Sequence, residues 1–575
     1  MLAFVLAVAG TALLPGYLIV RILRIRLPGP ALLPVSAIVS MGSITAASAY
    51  LGLLGIPFDA YSYAAMLLLL VAAFIVLRPP PLKCDLRKLA AFAVPPAILF
   101  LVLISGFSGF ITPPHGDDAS NHCLMVKEII TEKATQFNPW YNTAFHSIAA
   151  LAIEFSGFPL QEAPFYLIMF LAALLPLSIG FFTAGISKDE RLGLAAGFTS
   201  ILFFFFPYHP FMWGGWPTIA ALALLPAACA LFLRALKDGS TASGALSGIA
   251  LTGLLYLHTQ EMITAALFLL VLGTAALAGK KSARPGIRAA SLAAAVFLLL
   301  SAPGLYGALT HPARAQDIPT ETMGLAQAAA TIALEVFNIG LNPMIALLAV
   351  AGIAVALKER RLMPMLLLQA LFLALFYISQ TTALLSGLVH AGSWSVPMRL
   401  EYIQIYFVSF FSALGLLLAI KLLKEKKRPI LRSLAAAVLL FTALFAVSTL
   451  ASYSGYLHSL LGGFTAVTED DLQVMQWAQE NLPKNATVLL DYQENAGGSA
   501  DAGAWFPALT DLRCIRYNVP GDANCPSCIG ADYVFAGEKL ITGRNRTFDA
   551  SRLLADGTCT IAVRRGDSFL LKCPG

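Results

Sequence analysis

Charge is scarce in this sequence: 12% of its 575 residues are Asp, Glu, Lys or Arg, against roughly 25% in an ordinary soluble protein. With 58% hydrophobic residues, the shortfall excludes a conventional water-soluble chain. The missing charge leaves apolar runs of about 17–24 residues, the length that crosses a hydrocarbon core. Leu2–Val20, Tyr61–Leu77, Leu89–Phe110 and Tyr402–Ile420 are examples. No basic segment precedes the first run; Arg21, Arg24 and Arg26 follow it, so it reads as a first span rather than a cleaved leader. An internal repeat is also missing, which weakens a transporter built from inverted halves.

What charge there is has a pattern. Basic clusters lie at Arg21–Arg26, Arg78–Lys88, Lys188–Arg191, Arg234–Lys237, Lys280–Arg288, Lys358–Arg361 and Lys421–Arg432. Two apolar spans separate each cluster from the next. Only Lys127, Lys133, Arg314 and Arg399 fall in the alternate loops before the tail. Because cytoplasmic loops collect Lys and Arg, this alternation predicts about fourteen crossings, an extracytoplasmic N-terminus and an extracytoplasmic C-terminal domain. The apolar stretch Ala144–Phe155 is short and contains His146 and Glu154. It breaks the alternation if counted as a span, so it is expected to lie in, or dip into, the outer interface. All eight histidines and all six tryptophans fall on the side predicted to be outer. Tryptophan prefers headgroup depth anyway; histidine has no such strong preference, which points to polar chemistry on that side.

The expected architecture is an all-α polytopic membrane domain over 1–452, with outer loops at about 112–163 and 308–338, followed by a small α/β soluble domain over 453–575. In the tail, acids at Glu469–Asp471 suit the positive end of a helix running to about Asn481. Thr487–Asp491 and Tyr533–Ala536 read as strands. Cys559–Arg565 and Ser568–Cys573 alternate around Arg565-Gly566-Asp567, a hairpin signal. Cys559 and Cys573 flank that turn symmetrically and suit a disulfide. Cys514, Cys525 and Cys528 offer either another bridge or, through the C-x-x-C pair, a zinc site, and an exported compartment favours disulfides. Asn485-Ala-Thr and Asn545-Arg-Thr are sequons compatible with that compartment.

The chemistry concentrates in PPHGDDASNHCLMVKEI, residues 113–129. Asp117 and Asp118 open a helix just after a span. Asp118 and His122, at i and i+4, share a face that Met125 and Ile129 continue, while Ser120, Lys127 and Thr131 take the opposite one. One aspartate would serve as an N-cap, worth about 1 kcal/mol; a second acid and a histidine on the packed face exceed what capping needs. Asp117, Asp118 and His122 can act as general base toward a hydroxyl or bind a divalent cation such as magnesium or manganese through oxygen and imidazole. Tyr208-His-Pro-Phe-Met-Trp-Gly-Gly-Trp216 supplies His209 and Trp213 in a loop whose glycines permit close backbone approach, or else a simple interfacial anchor. His258 and Glu261 stand at a helix break, where mutual hydrogen bonding is the simpler account. Arg399 and Glu401 begin a span; Arg399 can hold a phosphate, or pair with Glu401 or a lipid headgroup.

These features resemble the GT-C superfamily of multi-span glycosyltransferases that use polyprenyl-phosphate-linked sugars. The resemblance rests on the acidic pair in a long outer loop, the amphipathic helix after it, and Trp140-Tyr-Asn-Thr-Ala-Phe-His146. Asp470-Asp-Leu-Gln-Val-Met-Gln-Trp-Ala-Gln-Glu-Asn-Leu-Pro and Gly503-Ala-Trp-Phe-Pro-Ala-Leu are similar to the soluble domain of prokaryotic members. The resemblance implies a transferase in the cell membrane that moves a sugar from a lipid-phosphate donor to a lipid, glycan or protein acceptor. Asp117 or Asp118 would activate the acceptor or help bind metal. Arg399 would hold the donor phosphate. Apart from the resemblance, His146, His209, Trp213, His258, Glu261 and Glu401 are the other outer-face groups available to bind substrate. Two departures stand out: the acidic pair follows the fourth span rather than the first, and the Trp-Trp-Asp-Tyr-Gly signature of oligosaccharyltransferases is absent. The competing expectations are a lipid-linked oligosaccharide flippase, which needs ionisable groups near the midplane where only Glu335 comes close, and a non-catalytic scaffold with an exported binding domain. The basic charge is explained by topology and the tail is mildly acidic, so nothing points to nucleic acid.

Overall fold

The computed structural model describes residues 1–81, 85–109, 117–134, 143–203, 206–278, 282–310, 326–327, 330, 342–382, 395–425, 428–464, 467–490, 502–516, 530–538, 550–555 and 557–573. His115, Trp140, Arg314, Glu335, Cys525, Cys528, Asn545, the side chain of Asp117 and most of the loop at 308–338 lie outside the described residues.

The helical body opens with α1 (Leu2–Ile22), α2 (Gly29–Leu53), α3 (Ala60–Leu77) and α4 (Leu86–Phe107). The first long loop folds as α5 (Asp117–Glu132) and α6 (Ala144–Ser156). Next come α7 (Ala163–Ser187), α8 (Glu190–Ser200), the single turn α9 (Tyr208–Met212), α10 (Trp216–Asp238), α11 (Thr241–Leu257), α12 (Thr259–Ala278) and α13 (Arg284–Thr310). The last group is α14 (Pro343–Ala356), α15 (Met363–Thr381), α16 (Ser395–Leu423) and α17 (Pro429–Phe464). Among the described residues eleven helices are long and apolar enough to cross a membrane, and α6, α11 and α14 are shorter apolar helices. The chain is an integral membrane protein.

Burial sorts these helices by role. The apolar window of α10 is 89% buried, whereas those of α3 and α17 are 6% and 11% buried. Backbone carbonyls are satisfied within each helix, so an apolar helix is stable either in lipid or inside the bundle. Thus α10 is the axis of the body, and α3 and α17 present their side chains to the surroundings. Close crossings use glycine: a Cβ on Gly42 would meet the Ile249 carbonyl oxygen at 2.1 Å, and one on Gly253 would meet that of Ile38 at 2.4 Å. The α2–α11 contact is therefore backbone against backbone, as small-residue helix interfaces allow.

α6 differs from its expected interfacial position. Residues Ala144–Ala152 are all buried, packed against α1, α2 and α5. Its small, evenly apolar surface lets it fit inside the bundle, and that places His146 in the interior.

The expected domain boundary also moves. Helix α17 runs unbroken through Tyr453 to Phe464. Tyr453 is buried and donates its hydroxyl hydrogen to the Leu202 carbonyl at 2.9 Å. The segment after 452 is therefore the last turns of a helix anchored to the body.

Beyond it, α18 (Glu469–Asn481) starts on a capping box between Thr468 and Asp471. The tail continues as β1 (Thr487–Leu490), α19 (Phe506–Leu509), β2 (Arg513–Arg516), β3 (Tyr533–Ala536), α20 (Ala550–Ala555), β4 (Thr560–Arg565) and β5 (Ser568–Lys572). The strands form one sheet in the order β2-β1-β3-β5-β4, parallel across β2-β1-β3 and antiparallel across β3-β5-β4. Cys559 and Cys573 are disulfide-bonded across the base of the terminal hairpin, Cα to Cα 4.2 Å.

Candidate active site

Four helix ends converge beside the first turn of α10. Gly214 and Gly215 lead into it, and Pro217 sits where a missing N–H costs nothing. Gly214 has φ +81°, and a Cβ there would meet the Ala119 backbone nitrogen at 2.8 Å and Asp118 Cβ at 2.9 Å. Only glycine accommodates both the left-handed conformation and the contact. The loop before α10 thus presses against the start of α5, at the acidic pair.

The packed face of α5 is Ala119, Ser120, His122, Cys123, Val126 and Ile129, all buried. This rotates the expected stripe slightly: Asp118 and Met125 lie half-buried at its margin, and Ser120 is covered rather than solvated. His122 Nδ1 meets His146 Nε2 at 3.0 Å, and the His122 ring lies 5.5 Å from the Trp216 ring. Burial, followed by the adjacent His146, pushes His122 well below the usual imidazole range. That favours the neutral form of His122, whose Nδ1 faces His146.

The second cluster is ionic. Arg399, at the start of α16, donates from Nη1 to Glu261 Oε1 at 2.6 Å and to Thr218 Oγ1 at 2.9 Å. Its Nη2 lies 3.2 Å from His258 Nε2. Because guanidinium has no acceptor, His258 Nε2 must accept; its proton then sits on Nδ1, which faces Glu261 Oε2 at 2.5 Å. Glu261 is 1% exposed and Arg399 14% exposed. The expected pairing of His258 with Glu261 is present, but the acid that Arg399 takes is Glu261 from α12 rather than Glu401, its neighbour on α16. Glu401 is itself buried. One Arg399 donor is left over: among the described residues its buried Nε–H has no acceptor.

The third cluster joins the two. Trp213 Nε1 donates to the Tyr402 hydroxyl oxygen at 3.2 Å. That hydroxyl also lies within hydrogen-bond distance of His209 Nδ1, at 2.6 Å. Burial holds His209 down at about 4, so it is neutral near pH 7. Tyr402 had no distinguishing sequence signal apart from following Arg399-Leu-Glu, and Thr218 had none.

Asp118, His122, His146, His209, Trp213, His258, Glu261, Arg399 and Glu401 are thereby gathered at one end of the body. Among the described residues no three His, Cys, Asp or Glu groups converge as a cation site requires, and His122 Nδ1 is already occupied by His146.

The chain is similar to an oligosaccharyltransferase from Archaeoglobus fulgidus in complex with Zn and sulfate, at 15% identity and a TM-score of 0.44, over 77% of this chain and 67% of that one. The apo form of that protein gives 13% identity and a TM-score of 0.36 over 78% and 69%. ArnT from Cupriavidus metallidurans in the apo state gives 12% identity and a TM-score of 0.48 over 83% of this chain and 97% of that one. No curated protein matches the sequence. A family described as being of unknown function, DUF6541, matches residues 9–519, which is most of the chain, and the protein belongs to that family.

Proposed function

We propose that the protein is a membrane glycosyltransferase that moves a sugar from a lipid-phosphate donor to an acceptor hydroxyl or amide at the extracytoplasmic leaflet. The observation that carries this reading is a half-buried guanidinium whose Nη1 is pinned by Glu261 and Thr218 while its buried Nε–H lacks an acceptor among the described residues. A buried unsatisfied donor costs about 1–3 kcal/mol, and a phosphate oxygen would remove that cost. Across the first turn of α10 stands Asp118, half-buried and fixed by the Gly214 contact.

In the reaction, the acceptor nucleophile attacks the anomeric carbon and passes its proton to the Asp118 carboxylate. The anomeric C–O bond breaks, and its electron pair leaves on the lipid phosphate, whose growing charge Arg399 stabilises. The buried His122–His146 pair would close the floor beneath Asp118 and exclude water. His209, Tyr402 and Trp213 offer a polar-aromatic wall suited to a sugar ring.

The test is transfer of a labelled sugar from synthetic polyprenyl-phosphate donors by the purified full chain in nanodiscs. Asp118→Asn keeps the shape and removes the base, so transfer should fall by about 100-fold or more. Wild-type rates in that variant would overturn the assignment.

A further inference from the structure

We infer that the C-terminal domain is a backing plate for α5, and that Lys127 is the positioning residue joining them. The inference rests on the proposed role of Asp118. An ammonium group has three donor hydrogens, and Lys127 Nζ has three acceptors, all from one segment of the tail: the Pro507 carbonyl at 3.0 Å, the Thr510 carbonyl, and Asp511 Oδ1 at 2.9 Å. The two carbonyls belong to the C-terminal end of α19, where helix carbonyls lack intrahelical partners. Asp511 is itself fixed, its Oδ2 accepting from Gln479 Nε2 at 2.9 Å and its N–H donating to Gln479 Oε1 at 2.7 Å. The Lys127 side chain is 20% exposed while Asp511 is 67% exposed, so the two carbonyls hold the covered side of the contact and the carboxylate its solvent side.

The helical geometry gives the contact its consequence. Nine residues separate Asp118 from Lys127, which at about 100° per residue puts them on opposite sides of α5 and about 13 Å apart along it. The tail therefore grips α5 from the side away from Asp118, while Gly214 bears on the Asp118 end. The far end is pinned independently: Lys133 Nζ meets Asp59 Oδ2 at 3.2 Å, and the Lys133 carbonyl accepts from Phe58 N–H at 2.6 Å. Three supports from three parts of the chain add to the packed face and the His122–His146 contact in fixing the helix. The middle one braces the side that the packed face does not, so removing it loosens the roll, the motion that swings the carboxylate.

Hydrogen exchange of the full chain in nanodiscs, with transfer kinetics, tests this. Lys127→Met should speed amide exchange over 117–132 and 506–511 by about ten-fold and leave the spans unchanged. Lys127→Arg, which retains charge and donors, should restore protection, and Asp511→Asn should give a milder version of the Met effect. In transfer, Lys127→Met should lower kcat by about ten-fold with donor KM within about two-fold, because geometry rather than binding is lost. If 506–511 loosens while 117–132 keeps wild-type protection, Lys127 merely anchors the tail and the inference fails. Wild-type kcat in Lys127→Met also overturns it. If the wild-type chain transfers no sugar, the proposed function fails, and exchange over 117–132 still decides whether the tail supports α5.

Discussion

The Arg399–Glu261 pair offers the sharpest energetic test. Glu261 is 1% exposed, and its two oxygens face Arg399 Nη1 at 2.6 Å and His258 Nδ1 at 2.5 Å. Removing one member of such a pair leaves a desolvated charge without its counter-ion, at a typical cost of about 3–5 kcal/mol. Arg399→Met strands a carboxylate, and Glu261→Gln strands a guanidinium whose remaining contacts are Thr218 and a neutral imidazole. The double variant strands neither. If the two costs were independent the double variant would lose about 6–10 kcal/mol; with a shared origin it should lose no more than about either single, giving a coupling energy of about 3 kcal/mol or more. Reversible unfolding in mixed micelles, followed by tryptophan fluorescence, measures all four corners of the cycle. Additive singles, or a Glu261→Gln variant within about 0.5 kcal/mol of wild type, would refute the reasoning. The cluster would then be a wet surface contact, and its orphan Nε–H would carry no functional meaning.

Other outcomes follow from single contacts. Gly214→Ala forces a Cβ against Asp118 and Ala119 at a φ of +81°, a left-handed cost of about 1–2 kcal/mol before any clash; transfer should fall with it, and an active, fully stable variant would contradict the contact. His209 is neutral in the folded chain, with its value lowered to about 4, and the unfolded group titrates near 6.5. The folded state is therefore unaffected above about pH 6.5 and loses up to about 3 kcal/mol as pH falls from 6.5 to 4. His209→Gln should flatten that part of the stability–pH curve, and an unchanged slope would argue against burial. The Lys127 ammonium beside Asp511 holds that carboxyl below its usual range. Its contribution is present above the unfolded value near 3.9 and is lost as pH falls through the lower folded value, and because Asp511 is 67% exposed it amounts to about 1 kcal/mol or less. Cys559→Ser with Cys573→Ser opens a loop with a sequence separation of 14, which should destabilise the terminal hairpin by about 3 kcal/mol, read as faster exchange over 560–572; unchanged exchange there would show that the sheet alone holds the hairpin.

The helical layout was legible because its cause is local. A run without charge must be either in lipid or in a core, and α1 to α4, α7, α10, α12, α13 and α15 to α17 occupy the stretches that hydropathy marks. The tail was legible for the same reason: Thr468 and the three acids after it cap α18, and Arg565-Gly566-Asp567 turns the hairpin. Strand β2 was missed, since Arg513-Cys-Ile-Arg516 alternates over too few residues to stand out, and its place in the sheet comes from parallel pairing to β1. α6 and the end of α17 were misplaced because burial of a small-residue helix, or of Tyr453, is decided by what packs against it.

The site was legible in its residue types and not in its pairings, and the reason is distance along the chain. Asp118 and His122 could be put on one face because four residues of helix separate them. Arg399 could not be paired with Glu261, 138 residues away, and the obvious neighbour Glu401 was the natural guess. Yet the pairing is what gives Arg399 its character. An arginine bound to Glu401 on its own helix would be a satisfied rim charge. Bound to Glu261 across α12 and braced by Thr218 on α10, it is a fixed cation with one edge spent and the Nε–H still lacking an acceptor among the described residues. The scarcity of charge noted at the outset acquires a purpose here. In a chain that spends so few ionisable groups inside its body, a half-buried arginine, a buried glutamate and three buried histidines collected around one helix end are costly to keep. A use for their unspent donor is the simplest account of why they are there.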